Sequence, residues 1–371
     1  MIEIDGSYGE GGGQILRTAL SLSCLFQKPF RIFNIRKNRK KPGLMPQHLT
    51  CVRAAQLMTG AEVAGDHQNS TELVFSPGIV QAGNFSFDIG TAGSASLVLQ
   101  TVLPGLIFSG QKTSVTVTGG THVPFSPSFS YLSEVFQRFL DLTGIRILFS
   151  IDSYGFYPKG GGRMKTEIFP AEKVIPLRKT DRGRLLGFKG SSGVGNLPVA
   201  IAERQRSSFM KRVSADLKES EGFESIQLKE VTTPGKGTFI DILAVFEHSV
   251  AGFTALGARG KRAETVGEEA AAEFIRFYFT GAALDSHMAD QIVLYLSLCN
   301  DESVFTTAAI TTHLTTNLWA VSLFNDIHYS LEKKNGTGTL KIRGRSLNRL
   351  SGPPDRKGGR DVSRKDFAGK L

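Results

Sequence analysis

A glycine-rich segment near the N-terminus is the first part of the chain whose composition indicates chemistry. Residues 9–14 read Gly-Glu-Gly-Gly-Gly-Gln and lead into a helical pattern that ends at Phe26. Glycines at a helix start let backbone amides approach an anion such as phosphate, although a tight strand-to-helix turn explains them nearly as well. The segment is neither a Walker loop nor the dinucleotide fingerprint. A carboxylate there would repel phosphate unless it holds a metal ion or positions a hydroxyl, so Glu10 is a candidate metal ligand.

His313 is the candidate nucleophile among the seven histidines. It lies in a polar cluster just before a helix predicted over Thr315–Phe324, which Thr315 or Thr316 can cap. The first amides of that helix would favour a nearby phosphate. A histidine at such a junction is more often structural than nucleophilic, and the residue alone leaves both interpretations open. Asp290 starts another helix, predicted over Ala289–Cys299, where an aspartate is usually a cap.

Basic residues concentrate in two places. The segment Lys28–Lys41 holds seven Lys or Arg and no acid, which suits either RNA contact or an exposed loop. The net charge is +10, but ten of the 44 Lys and Arg lie from residue 341 onward against three Asp. Much of the positive charge therefore belongs to the C-terminal end, and total charge alone is weak evidence for a nucleic-acid partner.

Composition excludes several classes of protein. With 371 residues, 40% hydrophobic and 21% charged, the chain predicts a folded protein with a sizeable core. Three scattered cysteines fit neither a disulfide framework nor a zinc site. The N-terminal residues lack the apolar core of a signal peptide, and no run of 18 apolar residues occurs. We therefore expect a cytoplasmic protein without a membrane partner.

The elements that must position the candidate residues recur along the chain. Two units of about 80 residues share one order of strands and helices, and a third follows near the C-terminus. A different block of strand, helix, two strands and helix precedes the third unit, and we interpret it as an insertion. The predicted helices are Gln14–Phe26, Gln47–Thr59, Ala95–Ile107, Phe129–Thr143, Leu197–Leu217, Glu264–Tyr278, Ala289–Cys299 and Thr315–Phe324.

These patterns predict an α/β fold in which three βαβαββ-type repeats form a large domain that carries a small inserted α/β domain. The predicted large domain spans 1–181 plus 281–345, and the inserted domain spans 182–280. Residues 346–371 contain few apolar side chains and predict a disordered basic tail. Such a tail either tethers RNA or is a solubilising overhang, and the second role is favoured because single-sign tails are common.

Taken together, these segments resemble the RNA 3′-terminal phosphate cyclase family. The matching positions occur in order across nearly all of residues 1–345, and the blocks EGGGQILR and KPGL…QHL are the most specific. The resemblance is carried by residues 5–6, 9–17, 35–36, 39, 41–44, 47–49, 89–90, 92–94, 97–101, 119–121, 155–158, 160–162, 289–291, 313–314 and 316–317.

The resemblance implies a mechanism with ATP as cosubstrate and an RNA bearing a 3′-phosphate end as substrate. The family's histidine attacks the α-phosphate of ATP and takes up AMP, which then passes to the RNA 3′-phosphate. The neighbouring 2′-hydroxyl displaces AMP and closes a 2′,3′-cyclic phosphate. The matching nucleophile is His313, and imidazole, with an ordinary pKa near ~6.5, offers a neutral lone pair at cellular pH.

The resemblance also assigns roles position by position. It implies that Glu10 holds Mg²⁺ or Mn²⁺ and that Pro127 packs on the adenine. At His287 the family often has an aromatic residue, and imidazole stacks on adenine more weakly. The implied ATP-binding residues are Gln100, Pro127, His287, Met288, Ala289, Asp290 and Gln291, and those lining the phosphate and RNA end are Arg17, Arg36, Arg39, Gln47 and His48.

Three other functions fit parts of the sequence. A non-catalytic relative acting in ribosomal RNA processing would lack the nucleophile, which His313 and the EGGGQ block argue against. An enolpyruvyl transferase also uses repeated βαβ units but needs no histidine nucleotidylation. A plain RNA-binding protein would depend on the basic tail. The sequence makes no prediction about oligomeric state.

Overall fold

Three four-stranded sheets with the same connectivity make up most of the structure, a computed structural model that describes residues 1–217, 226–334 and 336–347. The first sheet has the order β1-β2-β4-β3, in which β1 and β2 are parallel and the other pairs antiparallel. Its elements are β1 (Ile2–Asp5), α1 (Gly13–Phe26), β2 (Phe30–Phe33), α2 (Pro46–Thr59), β3 (Glu62–Ala64) and β4 (Leu73–Ser76).

The second sheet repeats this arrangement with the order β5-β6-β8-β7. Again the first two strands are parallel and the remaining pairs antiparallel. The predicted helix over Phe129–Thr143 is present, but a π-helical turn interrupts it. The elements are β5 (Asn84–Asp88), α3 (Ala95–Ile107), β6 (Thr113–Gly119), α4 (Phe129–Tyr131), the π turn (Leu132–Phe136), α5 (Gln137–Leu142), β7 (Ile147–Ser153) and β8 (Gly162–Ile168).

A short strand, β9 (Arg178–Lys179), precedes a separate sheet of order β11-β10-β12-β13. This sheet and its two helices enclose a second apolar core around Phe188, Phe209 and Phe274. Its elements are β10 (Leu185–Gly195), α6 (Ala200–Asp216), β11 (Ile226–Glu230), β12 (Gly237–Phe246), β13 (Val250–Leu256) and α7 (Ala263–Tyr278).

The third repeat resumes after α7 and pairs with β9 from before it. The order β15-β16-β14-β9 matches the other two sheets, and β9 pairs with β14 in parallel. Three βαβαββ repeats and an inserted α/β unit therefore confirm the predicted fold class. The remaining elements are α8 (Ser286–Leu296), β14 (Ser303–Thr307), α9 (Thr312–Phe324), β15 (His328–Lys334) and β16 (Thr337–Arg343).

The helices of the three repeats share one core. Helix α1 contacts α2, α3 and α9, and α8 contacts α9. In α9, Leu314, Leu318 and Val321 follow helical spacing and are fully buried, so truncating one of these leucines to alanine would cost about 2–5 kcal/mol. This packing brings the N-terminal ends of α1 and α9 together, where the candidate residues lie.

Two further observations concern the chain as a whole. In the part of the chain that the structure describes, none of the helices combines the length and apolar character needed to cross a bilayer. The predicted basic tail falls almost entirely on 348–371, outside the described residues.

Candidate active site

The His313 imidazole is held by a glutamine from the glycine-rich segment. Gln14 Oε1 lies 2.6 Å from His313 Nδ1, and Gln14 Nε2 donates to the His313 carbonyl oxygen at 3.2 Å. Because the amide nitrogen faces the carbonyl, the amide oxygen must face the ring, and an amide oxygen only accepts. Nδ1 therefore carries the proton and Nε2 carries the lone pair. The unprotonated Nε2 of a neutral imidazole is its nucleophilic atom.

The electrostatic surroundings keep His313 neutral. Burial lowers the pKa of His313 and Arg17 lowers it further, while the Glu10 carboxylate opposes both. The residue nevertheless lies at the surface, where a substrate has access. The arrangement provides an accessible imidazole with a free lone pair at neutral pH.

Helix α9 begins three residues earlier than predicted, so His313 lies within its first turn. The predicted caps, Thr315 and Thr316, are wrong, because Thr311 has extended backbone and its Oγ1 accepts from the Leu314 amide at 2.9 Å. Thr315 and Thr316 lie inside the helix, and Thr316 Oγ1 instead accepts from the Glu10 amide at 3.1 Å. The amide dipoles of the first turn favour negative charge beside His313.

Asp290 is a buried carboxyl joined to the start of α9. Thr311 Oγ1 donates to Asp290 Oδ1 at 2.6 Å, and Asn317 Nδ2 donates to the Asp290 carbonyl oxygen at 2.7 Å. Burial raises the pKa of Asp290 to about 7. The expectation that Asp290 caps its helix is wrong, because α8 begins at Ser286 and its cap is Asp285, which accepts from the Met288 amide at 2.9 Å.

Glu10 presents one carboxylate oxygen that none of the described residues satisfies. Its Oε1 pairs with Arg39, whereas Oε2 is buried without a hydrogen-bond partner. Gly12 makes room for this carboxylate, since a Cβ at that position would overlap it. An orphaned carboxylate oxygen beside a phosphate site suits Mg²⁺ or Mn²⁺.

The described residues supply few other ligands for a metal ion. They contain no group of three or more His, Cys, Asp or Glu side chains that could hold one. Mg²⁺ is commonly held by one or two carboxylates together with substrate phosphates. Glu10 therefore fits a metal that arrives with a triphosphate, and it does not form a closed protein site.

Arg17 and His48 meet at the start of α1. A Cβ on Gly13 would overlap His48 Nε2 and lie 2.7 Å from an Arg17 guanidinium nitrogen, so this close approach requires glycine. His48 Nδ1 accepts from the Met45 amide at 3.2 Å. Burial and the two guanidinium groups of Arg17 and Arg36 lower the pKa of His48 to about 3. His48 is therefore a neutral donor, and Arg17 provides the positive charge.

Arg36 and Gln47 are engaged with the backbone. Arg36 donates to the carbonyl oxygens of Lys41 and Gly43 at 2.7 and 2.8 Å, which closes the basic loop. Gln47 Oε1 accepts from the Ser94 amide at 2.7 Å, next to the start of α3. Of the residues predicted to bind phosphate, Arg36 and Gln47 therefore stabilise the backbone around the site.

The predicted ATP-binding residues surround the beginning of α8. Gln100 Nε2 bonds to Gln291 Oε1, and Gln291 Nε2 donates to the His287 carbonyl oxygen at 2.9 Å. The His287 side chain is exposed in the first turn. Met288 and Ala289 are fully buried, so their contribution is to packing. Pro127 is half-buried and joins this region only indirectly, through the turn that follows it.

Sequence reasoning missed the hydrogen bonds that join α1 to α9 around His313. Gln14 lies 299 residues from His313, and Thr18 Oγ1 donates to Asn317 Oδ1 at 2.7 Å across the same separation. Gln14 belongs to the specific EGGGQ block, which is the signal that identifies it. The hydroxyl of Thr311 had no such signal among the four threonines of 311–316.

Comparisons with known proteins identify the family to which the chain belongs. The family profile described as RNA 3′-terminal phosphate cyclase matches residues 8–331. A protein of that name from Sulfolobus acidocaldarius is 49% identical over 331 residues, covering 88% of this chain and 96% of the relative. Another from Pyrobaculum aerophilum is 41% identical, covering 94% and 99%, and one from Methylococcus capsulatus is 42% identical, covering 93% and 97%. The chain therefore belongs to the RNA 3′-terminal phosphate cyclase family.

Proposed function

We propose that this protein converts an RNA 3′-terminal phosphate into a 2′,3′-cyclic phosphate at the expense of ATP, with His313 as the nucleophile. The observation that carries the proposal is the hydrogen bond from His313 Nδ1 to Gln14, which leaves the Nε2 lone pair free at the mouth of an anion site. The relatives bear the cyclase name, and none of the three alternative functions is favoured.

In the first step, His313 Nε2 attacks the α-phosphorus of ATP. A P–N bond forms, the bond from that phosphorus to the bridging oxygen breaks, and pyrophosphate leaves with the electron pair. Positive charge develops on the ring, and the Gln14 carbonyl oxygen stabilises it through the Nδ1 proton. The covalent intermediate divides one difficult activation into two easier steps.

The next two steps transfer AMP and then release it. An oxygen of the RNA 3′-phosphate attacks the adenylyl phosphorus, the P–N bond breaks, and neutral His313 is regenerated. The 2′-hydroxyl oxygen then attacks the activated 3′-phosphorus, AMP leaves, and the hydroxyl proton passes to solvent. Each step requires the reacting atoms to be held in line, which is a positioning task.

The surrounding side chains bind and orient the phosphates. Arg17 and Arg39 supply positive charge, and the uncharged His48 donates a hydrogen bond without adding repulsion. The amides at the start of α1 lack a side-chain cap and are available to the same anion. A divalent cation held by Glu10, Mg²⁺ or Mn²⁺, would offset the charge of the triphosphate.

The nucleotide base would lie between Pro127 and the exposed His287, with Gln100, Asp290 and Gln291 along the α8 side.

The two apolar cores support a division into a large domain, 1–181 plus 281–345, and an inserted domain, 182–280. We further propose that the protein is cytoplasmic and that the C-terminal tail, residues 346–371, has no catalytic role.

Labelling with ATP radioactive at the α-phosphate tests the nucleophile. We expect the wild-type protein to acquire a covalent, acid-labile label, and a His313→Ala variant to acquire none. His328→Ala is the matched control, because it removes another exposed histidine of the third repeat. A label that persists in His313→Ala contradicts the assignment.

The RNA product is tested separately with an oligonucleotide that ends in a 3′-phosphate. We expect the terminus to become resistant to phosphatase in an ATP-dependent manner with wild-type protein. Labelling without cyclisation would retain the histidine chemistry and refute the RNA substrate. Mass spectrometry of the protein detects the adduct. Cyclisation of the RNA without any such adduct would refute the covalent mechanism.

A further inference from the structure

A buried carboxylate of the inserted unit holds a loop of the second repeat. Asp241 of β12 is 5% exposed. Its oxygens accept from His122 Nε2 at 3.1 Å, Ser128 Oγ at 3.1 Å and Thr254 Oγ1 at 2.6 Å. Three donors satisfy an ionised carboxylate that has lost its water. Only Thr254 belongs to the inserted sheet, so two of the three bonds cross to the other unit.

The hydrogen bonds of His122 fix its ring. Because an ionised carboxylate only accepts, His122 Nε2 carries the proton that Asp241 accepts. Thr121 Oγ1 accepts from the Gly155 amide at 3.0 Å and lies 3.0 Å from His122 Nδ1. The ring also stacks on Tyr154, with centroids 4.9 Å apart. His122 is a fixed anchor for the chain that follows it.

The two crossing bonds lie at opposite ends of one short loop, residues 123–127. At its far end Ser128 Oγ also accepts from the Tyr131 amide at 3.1 Å and caps α4. Within the loop, Phe125 is fully exposed and has a φ of 64°, which a bulky residue rarely adopts. Such a conformation persists when its surroundings hold the backbone at both sides. Asp241 supplies that restraint.

The same loop leads to the beginning of α8. Pro127 is its last residue, and four residues further on the Tyr131 hydroxyl donates to Asp285 Oδ1 at 2.7 Å. Asp285 is the cap of α8, the helix whose first turn carries His287. A continuous set of hydrogen bonds therefore runs from Asp241 through the α4 turn to the cap of α8.

We propose that Asp241 is a positioning residue for the nucleotide base: from the inserted unit, it holds the 123–127 loop so that Pro127 packs against the adenine of ATP. This inference rests on the proposed function, because it takes Pro127 and His287 as the two faces of the base site. It gives the inserted unit a role in nucleotide affinity.

The charge of Asp241 matters to this role. Burial raises the pKa of the carboxyl, but His122 and the hydroxyl donors outweigh it and hold the pKa below its ordinary value. Asp241 is therefore ionised at neutral pH. If Asp241 loses one of its hydrogen bonds to the loop, that end of the loop is no longer held in place. The residues near His313 that are proposed to bind phosphate keep their own hydrogen-bond partners.

The test compares two serine-to-alanine variants of the full chain. Ser128→Ala removes one of the two bonds between Asp241 and the ends of the loop, together with the cap of α4. Ser192→Ala is the matched control, because Ser192 is a buried, hydrogen-bonded serine of the inserted unit. Its Oγ lies 2.8 Å from the Ala202 carbonyl oxygen and 2.9 Å from Gln205 Oε1. The Kd of an ATP analogue with an α,β-methylene bridge is measured by calorimetry, beside the KM and kcat of self-adenylylation.

We expect Ser128→Ala to raise the Kd and the KM about tenfold, the loss of one charge-assisted hydrogen bond, with kcat unchanged. Ser192→Ala should leave both constants unchanged, although it also lowers the melting temperature. Inorganic tripolyphosphate, which has no base, should bind Ser128→Ala as it binds wild type. A purely structural role would weaken tripolyphosphate and the ATP analogue alike, and would overturn the inference.

Asp241→Asn provides a second variant should Ser128→Ala fail to fold. Its amide keeps the shape and one acceptor but loses the charge, and we expect the same selective loss of nucleotide affinity. Equal Kd values for wild type, Ser128→Ala and Asp241→Asn would refute the role of Asp241. Wild-type protein that binds the analogue but never forms an adduct would refute the proposed function and leave this comparison intact.

Discussion

The hydrogen bond between Gln14 and His313 makes a quantitative prediction about the first chemical step. We consider Gln14→Met, which preserves the length of the side chain and removes both the acceptor for His313 Nδ1 and the donor to its carbonyl oxygen. Without the acceptor, the ring can rotate, and its proton can occupy Nε2 and block the lone pair. The variant should therefore slow adenylylation at saturating ATP.

The size of the effect follows from the charge that develops during attack. A hydrogen bond to a charged group contributes about 1.5–3 kcal/mol, and the exposure of His313 favours the lower end of that range. About 1.4 kcal/mol corresponds to a tenfold change in rate. We therefore expect Gln14→Met to lower the single-turnover rate about tenfold, measured by quenched-flow labelling with ATP radioactive at the α-phosphate.

Gln14→Glu is the matched control, because a carboxylate still accepts from Nδ1 at nearly the same length. It should retain more activity than Gln14→Met, and its imidazole should titrate at a higher pH because of the added charge. If Gln14→Met forms the adduct at the wild-type rate, the amide does not orient the ring. The nucleophilic tautomer must then be fixed by something else.

Three other predictions test the surroundings of the site. The His313 ring, followed by NMR, should titrate below about 6.5, because burial lowers its pKa. In Glu10→Gln the midpoint should be lower still, because the variant removes a negative charge that raises the pKa. A midpoint above about 7 in the wild-type protein contradicts this prediction. Burial raises the pKa of Asp290 to about 7, so ionisation destabilises the fold as pH rises from about 4 to about 7. At about 1.4 kcal/mol for each pKa unit, Asp290→Asn should be roughly 4 kcal/mol more stable than wild type at pH 8 and closer to it at pH 5 in denaturant melts. Equal stability at pH 8 refutes this prediction. Gly13→Ala should displace His48 and Arg17 and lower the rate of adenylylation about tenfold. Gly83→Ala should leave that rate unchanged, because its Cβ would approach Phe85 only to 3.8 Å. Unaltered labelling in Gly13→Ala argues against the close approach of His48 and Arg17 to Gly13.

The sequence predicted the fold best where a single pattern decided the outcome. The helix Ala95–Ile107 was predicted with its observed bounds, because it is an apolar run between clear breaks. Strand β13 was missed, since Gly252 within it gives no strand signal. There a side chain would overlap Tyr131 and Val135, so packing between the units determines the residue.

The site shows the same limit at the level of single atoms. Glu10, Arg17 and His313 were identified as candidates from their neighbours in sequence, and the structure places them close together. The sequence did not show which of four threonines caps α9, because the choice depends on the extended backbone at Thr311 and on its bond to Asp290. The amide that holds the His313 ring likewise comes from the opposite end of the chain, and only the assembled repeats bring it there.

The 299-residue separation of Gln14 and His313 has a consequence during synthesis. A ribosome needs on the order of 20 seconds or more to add that length of chain, and domains generally fold in order as they emerge. The glycine-rich loop and its basic neighbours belong to the first repeat, so they can form before His313 has been translated. Because His313 is the proposed nucleophile, we expect nascent chains and prematurely terminated products that lack it to leave ATP intact. Turnover should begin only when the last repeat packs against the first.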